Sequence, residues 1–324
     1  MRYYLKYIII GVVLVAAIVT TTVLIVNNNN KKEEQKLAFR EEGIAYFDAG
    51  DYEKALTSFQ SALDIASGKI GNVEMDVCFY KARAQYEMGD TEGAVETYTS
   101  IIEHNDHAKA YFLRGNLYYS LGEEEKALAD YEKAAENEDK DYELYIGIYE
   151  VLESKDKMKE GQAYLNKALE IDGNKATDKI QKGYINFLLG EYETAIGLLE
   201  DVLEKETIAY YYLFQVYDAM EDSEKAVEYL NTYMEKEENI DSTQLYEMGK
   251  SLLNKEQLTS AIECFNKALE LEKIPNQQVI MRNLVVAYEK NLDFASAKEV
   301  MKAYVEAYPE DEEALREYTF LQTR

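Results

Sequence analysis

The sequence predicts an all-α fold: an α-solenoid of about eight helix-turn-helix repeats and a C-terminal capping helix, preceded by one transmembrane helix. Three observations carry that prediction. Only two prolines and 16 glycines are spread over 324 residues, too few breakers for an all-β or collagen-like chain. A ladder of small residues recurs at Ala55, Ala94, Ala127, Gly161, Ala195, Ala226, Ala261 and Ala297, in steps of 39, 33, 34, 34, 31, 35 and 36. The third is a run of 19 uncharged residues from Ile8 to Val26, rich in Ile and Val.

Composition bounds the function classes. With 62 acidic and 35 basic side chains the net charge is −27, which argues against a nucleic-acid binder, since phosphate binding needs basic patches. Residues 1–26 hold Arg2 and Lys6 and no acid, so 33 basic and 62 acidic side chains fall in the remainder. Two cysteines and two histidines are too few for a disulfide scaffold or a multi-zinc protein.

Taken from the N-terminus, residues 1–7 form a short basic tail. As a helix rising ~1.5 Å per residue, residues 8–26 span ~28 Å, near the ~30 Å hydrocarbon core of a bilayer. The run exceeds the apolar region of a cleaved leader, about 7–15 residues, and no small-x-small site follows, so a retained anchor is expected. Tyr3, Tyr4 and Tyr7 stand at its leading end, where amphipathic rings favour the interface. The simplest topology keeps the tail in the cytoplasm and places the repeats on the extracytoplasmic side. Residues 27–35 are polar without apolar periodicity and read as a spacer.

Residues 36–309 carry the repeats. Asn-Lys-Ala-Leu-Glu occurs at both 166–170 and 266–270, and Glu-Lys-Ala at 53–55, 125–127 and 224–226. The third copy reads Tyr111, Gly115, Tyr118, Gly122, Ala127, Tyr131 and Ala134; the first reads Phe39, Gly43, Tyr46, Gly50, Ala55, Phe59 and Ala62. The physical reading is that closely crossing helices need small contact residues, with aromatics three and four positions away filling the hollows. Gly50-Asp51, Gly89-Asp90 and Gly122-Glu123 mark the turns inside the pairs. Ser67–Val73, with two glycines, accommodates the long first step as a loop. Residues 310–324 form the cap, with Glu310, Asp311, Glu312 and Glu313 on an acidic outer face.

This pattern resembles the tetratricopeptide repeat, a helix-turn-helix unit of 34 residues. Copies four, six and eight depart from it, with Tyr149, Phe214 and Val285 where a small residue is usual. The resemblance implies a concave groove lined by the first helix of each pair, with ligand contacts at set positions of that helix. Carried over, these give Arg40, Phe79, Arg83, Lys109, Phe112, Asn116, Tyr184, Tyr211, Gln215, Tyr246, Lys250 and Arg282. For the rings, packing between helices is the competing role. The carboxylate clamp of some tetratricopeptide-repeat domains is incomplete here: Arg40 fits, but Ile44 and Tyr80 replace the asparagines. Arg83, Lys109 and Asn116 remain able to meet an acidic segment or a carboxylate end.

No phosphate loop, nucleophile elbow or calcium loop occurs, so neither catalysis nor a cofactor or metal is expected. His104 and His107 flank Asn105-Asp106 and read as an inter-repeat turn; Cys78 and Cys264 are five repeats apart and cannot pair. The functional expectation is a non-catalytic, membrane-anchored scaffold binding a peptide or partner protein. The alternative is a cell-surface receptor that stacks a glycan or small ligand on Tyr and Phe rings.

Overall fold

The computed structural model describes residues 28–65, 71–138, 140–237 and 239–324. The tail and the apolar run 8–26 lie outside the described residues. Among those described, all regular structure is helical, and no helix is long and apolar enough to cross a membrane. The chain divides into two compact units, Met1–Asp172 and Gly173–Arg324.

In the first unit, α1 (28–48) pairs with α2 (Tyr52–Asp64), and α3 (Asn72–Glu87) with α4 (Thr91–Asn105). The pairs α5 (Ala108–Ser120)/α6 (Glu124–Asn137) and α7 (Tyr142–Glu153)/α8 (Met158–Leu169) follow. The second unit contains α9 (Ala176–Leu188)/α10 (Tyr192–Glu200) and α11 (Ile208–Ala219)/α12 (Ser223–Lys236). It continues with α13 (Ser242–Asn254)/α14 (Leu258–Leu269), α15 (Gln277–Lys290)/α16 (Phe294–Ala307) and the single helix α17 (Glu312–Leu321). Helices pack mainly on their chain neighbours, and first helices also touch across repeats: α5 on α7, α9 on α11, α13 on α15. Apolar side chains therefore gather in successive local clusters within each unit, as stacked repeats require.

The alanine ladder is the contact line. All seven alanines are at most 1 % exposed, and Gly161 is buried in the same register. Opposite it, a Cβ on Gly43 would collide with the Phe59 ring, one on Gly115 would lie 2.7 Å from Tyr131, and one on Gly249 2.6 Å from Phe265. In these three repeats the ring four residues beyond the ladder lies against a glycine twelve residues before it, whereas repeat two accommodates Ala82 with Tyr98 and repeat five sets Gly183 against Leu199. Repeat four reverses the arrangement: Tyr149 occupies the usual small position, Gly161 replaces the alanine, and a Cβ there would stand 3.0 Å from the Tyr149 ring. Leu165 and Leu230 replace the second ring in repeats four and six, keeping volume in step with Tyr149 and Phe214.

Every turn inside a pair holds one residue in the left-handed region, five positions before the ladder. Gly50, Gly89, Gly122 and Gly190 fill it in four repeats, and Asp156, Glu221, Glu256 and Leu292 in the other four, with φ from 59 to 62°. The following residue caps the second helix, and Asp51, Asp90, Asp222 and Asp293 each accept a backbone N–H three residues on.

Two boundaries move. Residues 28–35, read from the sequence as a polar spacer ahead of the repeats, are helical and form the start of α1. Lys36 explains why: its side chain is buried against Glu33 and Glu74, tying the helix to α3. The expected loop Ser67–Val73 ends earlier, since Asn72 begins α3, whose first turn Glu74 caps by accepting from the Gly71 N–H at 2.9 Å. The terminal helix α17 does pack on α16, burying Ala314 and Leu321. Asp311, placed by its sequence on an acidic outer face, instead caps α17 and accepts from Tyr304 Oη at 2.7 Å.

Candidate functional site

The first unit holds a cleft of about 530 Å³ on the surface made by α3 and α5, with Tyr98 of α4 at its back. Four of the residues singled out by sequence, Phe79, Arg83, Lys109 and Asn116, line it together. They meet because α3 and α5 line the cleft from either side, with Arg83 and Asn116 at one matching position of the two helices and Asp76 and Lys109 at another, two turns earlier. Aromatic rings form part of its wall among charged groups: Phe79 lies 6.0 Å from Tyr98, and Tyr86 is about half-exposed. Burial pushes the Tyr98 phenol up to about 12, with nearby Arg83 opposing, so it stays a neutral donor.

The two cations of this cleft are weakly engaged. Arg83 is 65 % exposed, and its closest carboxylate is Glu87, 3.9 Å away one turn along the same helix. Its guanidinium lies 5.2 Å from the centre of the Phe47 ring, and the Lys109 ammonium 5.5 Å from that of Phe79. Asn116 accepts from Tyr131 Oη at 2.6 Å, which fixes its amide and leaves the NH₂ end as the free donor. Asp76, also in the lining, is held by Arg40 at 2.6 Å. Beside the cleft, His107 directly precedes α5 and lies edge-on to Phe79, and burial followed by the Lys109 charge lowers its pKa.

The remaining residues divide by role. Arg40 bridges α1 to α3 through Asp76, and Arg282 reaches Glu317 at 2.6 Å, fastening α17 to α15. Both charges are thus already paired. Phe112 packs between helices, 5.9 Å from Tyr131 and against Gly147. Tyr184 stacks on Tyr212 at 4.8 Å. Tyr246 packs 6.3 Å from Phe265 with the Lys250 ammonium over its ring. Tyr211 and Gln215 line a second, smaller cleft in the other unit.

Sequence reasoning missed Tyr98, Tyr80, Leu113 and Leu117 in the first cleft. Tyr98 belongs to a second helix and occupies the ring position that packs inward elsewhere, so no sequence signal sets it apart. The buried fork of Arg114 and Asp130 was missed too: Arg114 makes two 2.8 Å bonds to Asp130 and one of 2.9 Å to Thr99. It joins α4, α5 and α6. Cys78 and Cys264 are free thiols, and burial raises both, Cys264 to about 12. Among the described residues, no three His, Cys, Asp or Glu side chains group as metal ligands.

Residues 81–142 and 245–274 match tetratricopeptide-repeat family models. The chain is 26 % identical over 253 residues to a TPR repeat-containing protein of Methanocaldococcus jannaschii, covering 74 % of this chain and 41 % of that one. It is 24 % identical over 197 residues to the mouse DnaJ homolog subfamily C member 7, covering 59 % and 38 %. It is 27 % identical over 113 residues to the Arabidopsis thaliana protein CTR9 homolog, covering 35 % and 10 %. The chain therefore spans well under half the length of these relatives. Among solved structures, a tetratricopeptide repeat protein from Parabacteroides merdae aligns with a TM-score of 0.50 and 18 % identity, over 78 % of this chain and 99 % of that one. The family matches and this shared fold support the tetratricopeptide-repeat reading.

Proposed function

We propose that this tetratricopeptide-repeat chain is a non-catalytic scaffold that holds an acidic, extended segment of a partner protein in the α3–α5 cleft. One observation carries the reading. In a chain of net charge −27, Arg83 and Lys109 face the same aromatic cleft; among the described residues the one carboxylate within 4 Å of either is Glu87, on Arg83's own helix, and the other lining carboxylate, Asp76, is already held by Arg40. Paired surface charges bind little, whereas a cation seated over rings beside apolar walls gains from both charge and desolvation. The partner's carboxylates would meet Arg83, Lys109 and the Asn116 amide, and its apolar side chains would lie against Phe79 and Leu113. In this reading residues 8–26 tether the scaffold to a membrane, with the tail cytoplasmic and the repeats extracytoplasmic.

The glycan-receptor reading has less support, because sugar stacking needs open ring faces. Tyr184, Tyr211 and Tyr212 are packed on one another or on neighbouring rings. A peptide array probed with the full-length chain tests the proposal. Enrichment of acidic segments containing an aromatic or aliphatic residue is expected, and its loss in the Arg83→Glu/Lys109→Glu variant. Equal capture by that variant, or enrichment of basic segments at this cleft, would remove the site from α3–α5.

A further inference from the structure

The cleft of the second unit has the opposite chemistry. It measures about 260 Å³ and is lined from α9, α11 and α13, with Phe187, Phe214 and Met248 as its apolar walls. Among the described residues no lysine or arginine lines it, whereas two carboxylates do, Asp218 and Glu247. Asp218 is fully engaged, accepting from Ser251 Oγ at 2.5 Å and from Lys255 Nζ at 2.6 Å. Glu247 is not: it is 54 % exposed, and Lys250, one turn along the same helix, stands 3.7 Å away while also leaning over the Tyr246 ring. Gln215 donates to Tyr211 Oη at 3.2 Å, and its carbonyl Oε1 is buried without a partner. A buried acceptor left unmade costs folding free energy that an incoming N–H group returns. The surroundings are electronegative as well: burial first, then rings and the carboxylates of Glu247 and Asp241, raise the Tyr211 phenol to about 12.

We propose that this cleft receives one basic side chain of a partner peptide, its ammonium or guanidinium between Glu247 and Gln215 and its methylene stem along Phe187, Phe214 and Met248. The assignment goes beyond the acidic-segment reading of the first unit and stands without it. A cation beside aromatic rings and a carboxylate gains from both, and its stem covers the apolar wall. The volume suits a single long side chain rather than a folded surface, so the cleft would read one position of a sequence. Lys250 is the built-in competitor, because its ammonium shares Glu247.

The test uses the full-length chain with ¹³C-methyl methionine, Met248 being the reporter, assigned through Met248→Leu. The probes are acetyl-Gly-Lys-Gly-amide, acetyl-Gly-Arg-Gly-amide and acetyl-Gly-norleucine-Gly-amide, the last an uncharged analogue that keeps the lysine stem without its ammonium, together with the neutral disaccharide maltose. The expected result is a saturable Met248 shift with the lysine or arginine peptide and none with norleucine. Glu247→Gln should weaken it at least about threefold, and Lys250→Gln, which removes the competitor, should tighten it. Arg83→Glu/Lys109→Glu should leave it unchanged, which separates failure here from failure of the first cleft. An equal shift with norleucine, a response to maltose alone, no response to any probe, or unaltered binding in Glu247→Gln would each overturn the assignment.

Discussion

At the residue scale, the turn inside each helix pair shows what the backbone demands and what the sequence tolerates. Eight turns use the left-handed region at the same register, yet only four place glycine there. A side chain with a Cβ costs roughly 1–2 kcal/mol in that conformation. Leu292 is the plainest case, since it is 76 % exposed and its side chain gains little from burial. Leu292→Gly is therefore expected to stabilise the second unit by about 1 kcal/mol, after the greater chain entropy glycine gives the unfolded state. A rise in the urea midpoint at unchanged slope checks it; an unchanged or lower midpoint would mean that Leu292 makes a contact the strain does not outweigh. These four turns were illegible in the sequence for a simple reason: glycine signals a left-handed turn, and Asp156, Glu221, Glu256 and Leu292 do not.

At the element scale, the helix pairs were readable because the spacing of small and large residues is a packing requirement. Gly43 must lie against Phe59 and Gly115 against Tyr131, so the packing period is written directly into the order of residues. The departures at Tyr149 and Phe214 were readable only as departures. Their compensation by Gly161, Leu165 and Leu230 is a relation between helices that appears once the pairs are assembled. The site was half legible by the same logic. Phe79, Arg83, Lys109 and Asn116 share outward positions of neighbouring first helices and do converge. Arg40 and Arg282 share those positions too, but Asp76 and Glu317 neutralise them, and nothing in a repeat pattern announces a partner 36 or 35 residues away. Arg114 and Asp130 hold α5 to α6, with side chains 14 % and 8 % exposed. Removing one member leaves a charge with little water, so Asp130→Ala is expected to cost about 3 kcal/mol, and Arg114→Met/Asp130→Leu much less. Chemical unfolding of the single and double variants measures this. Equal losses would show that the pair contributes net stability rather than mutual compensation.

At the scale of the whole molecule, the net charge of −27 divides between a small positive N-terminal segment and a strongly acidic repeat region. Most of that acidity lies on exposed helix faces, where it favours solubility and repels other anions. Against this background two local sites gain meaning: a cleft with under-engaged cations in the first unit, and one lined only by anions among its charged groups in the second. The uncharged run 8–26 supplies the remaining expectation. The full-length chain should sediment with membranes and resist alkaline carbonate extraction, and deletion of residues 8–26 should release it. A wild-type chain recovered in the soluble fraction would rule out the anchor.

The proposed scaffold role depends above all on Arg83 and Lys109 binding carboxylates of an extended partner. Calorimetric titration of an acidic, aromatic-containing peptide into the full-length chain, into Arg83→Gln, into Lys109→Gln and into the double variant measures this directly. Binding should weaken with salt, fall about three- to tenfold in each single variant and nearly vanish in the double variant, as expected for cations worth about 1 kcal/mol each. Affinity that is independent of salt and the same in all four proteins would contradict it.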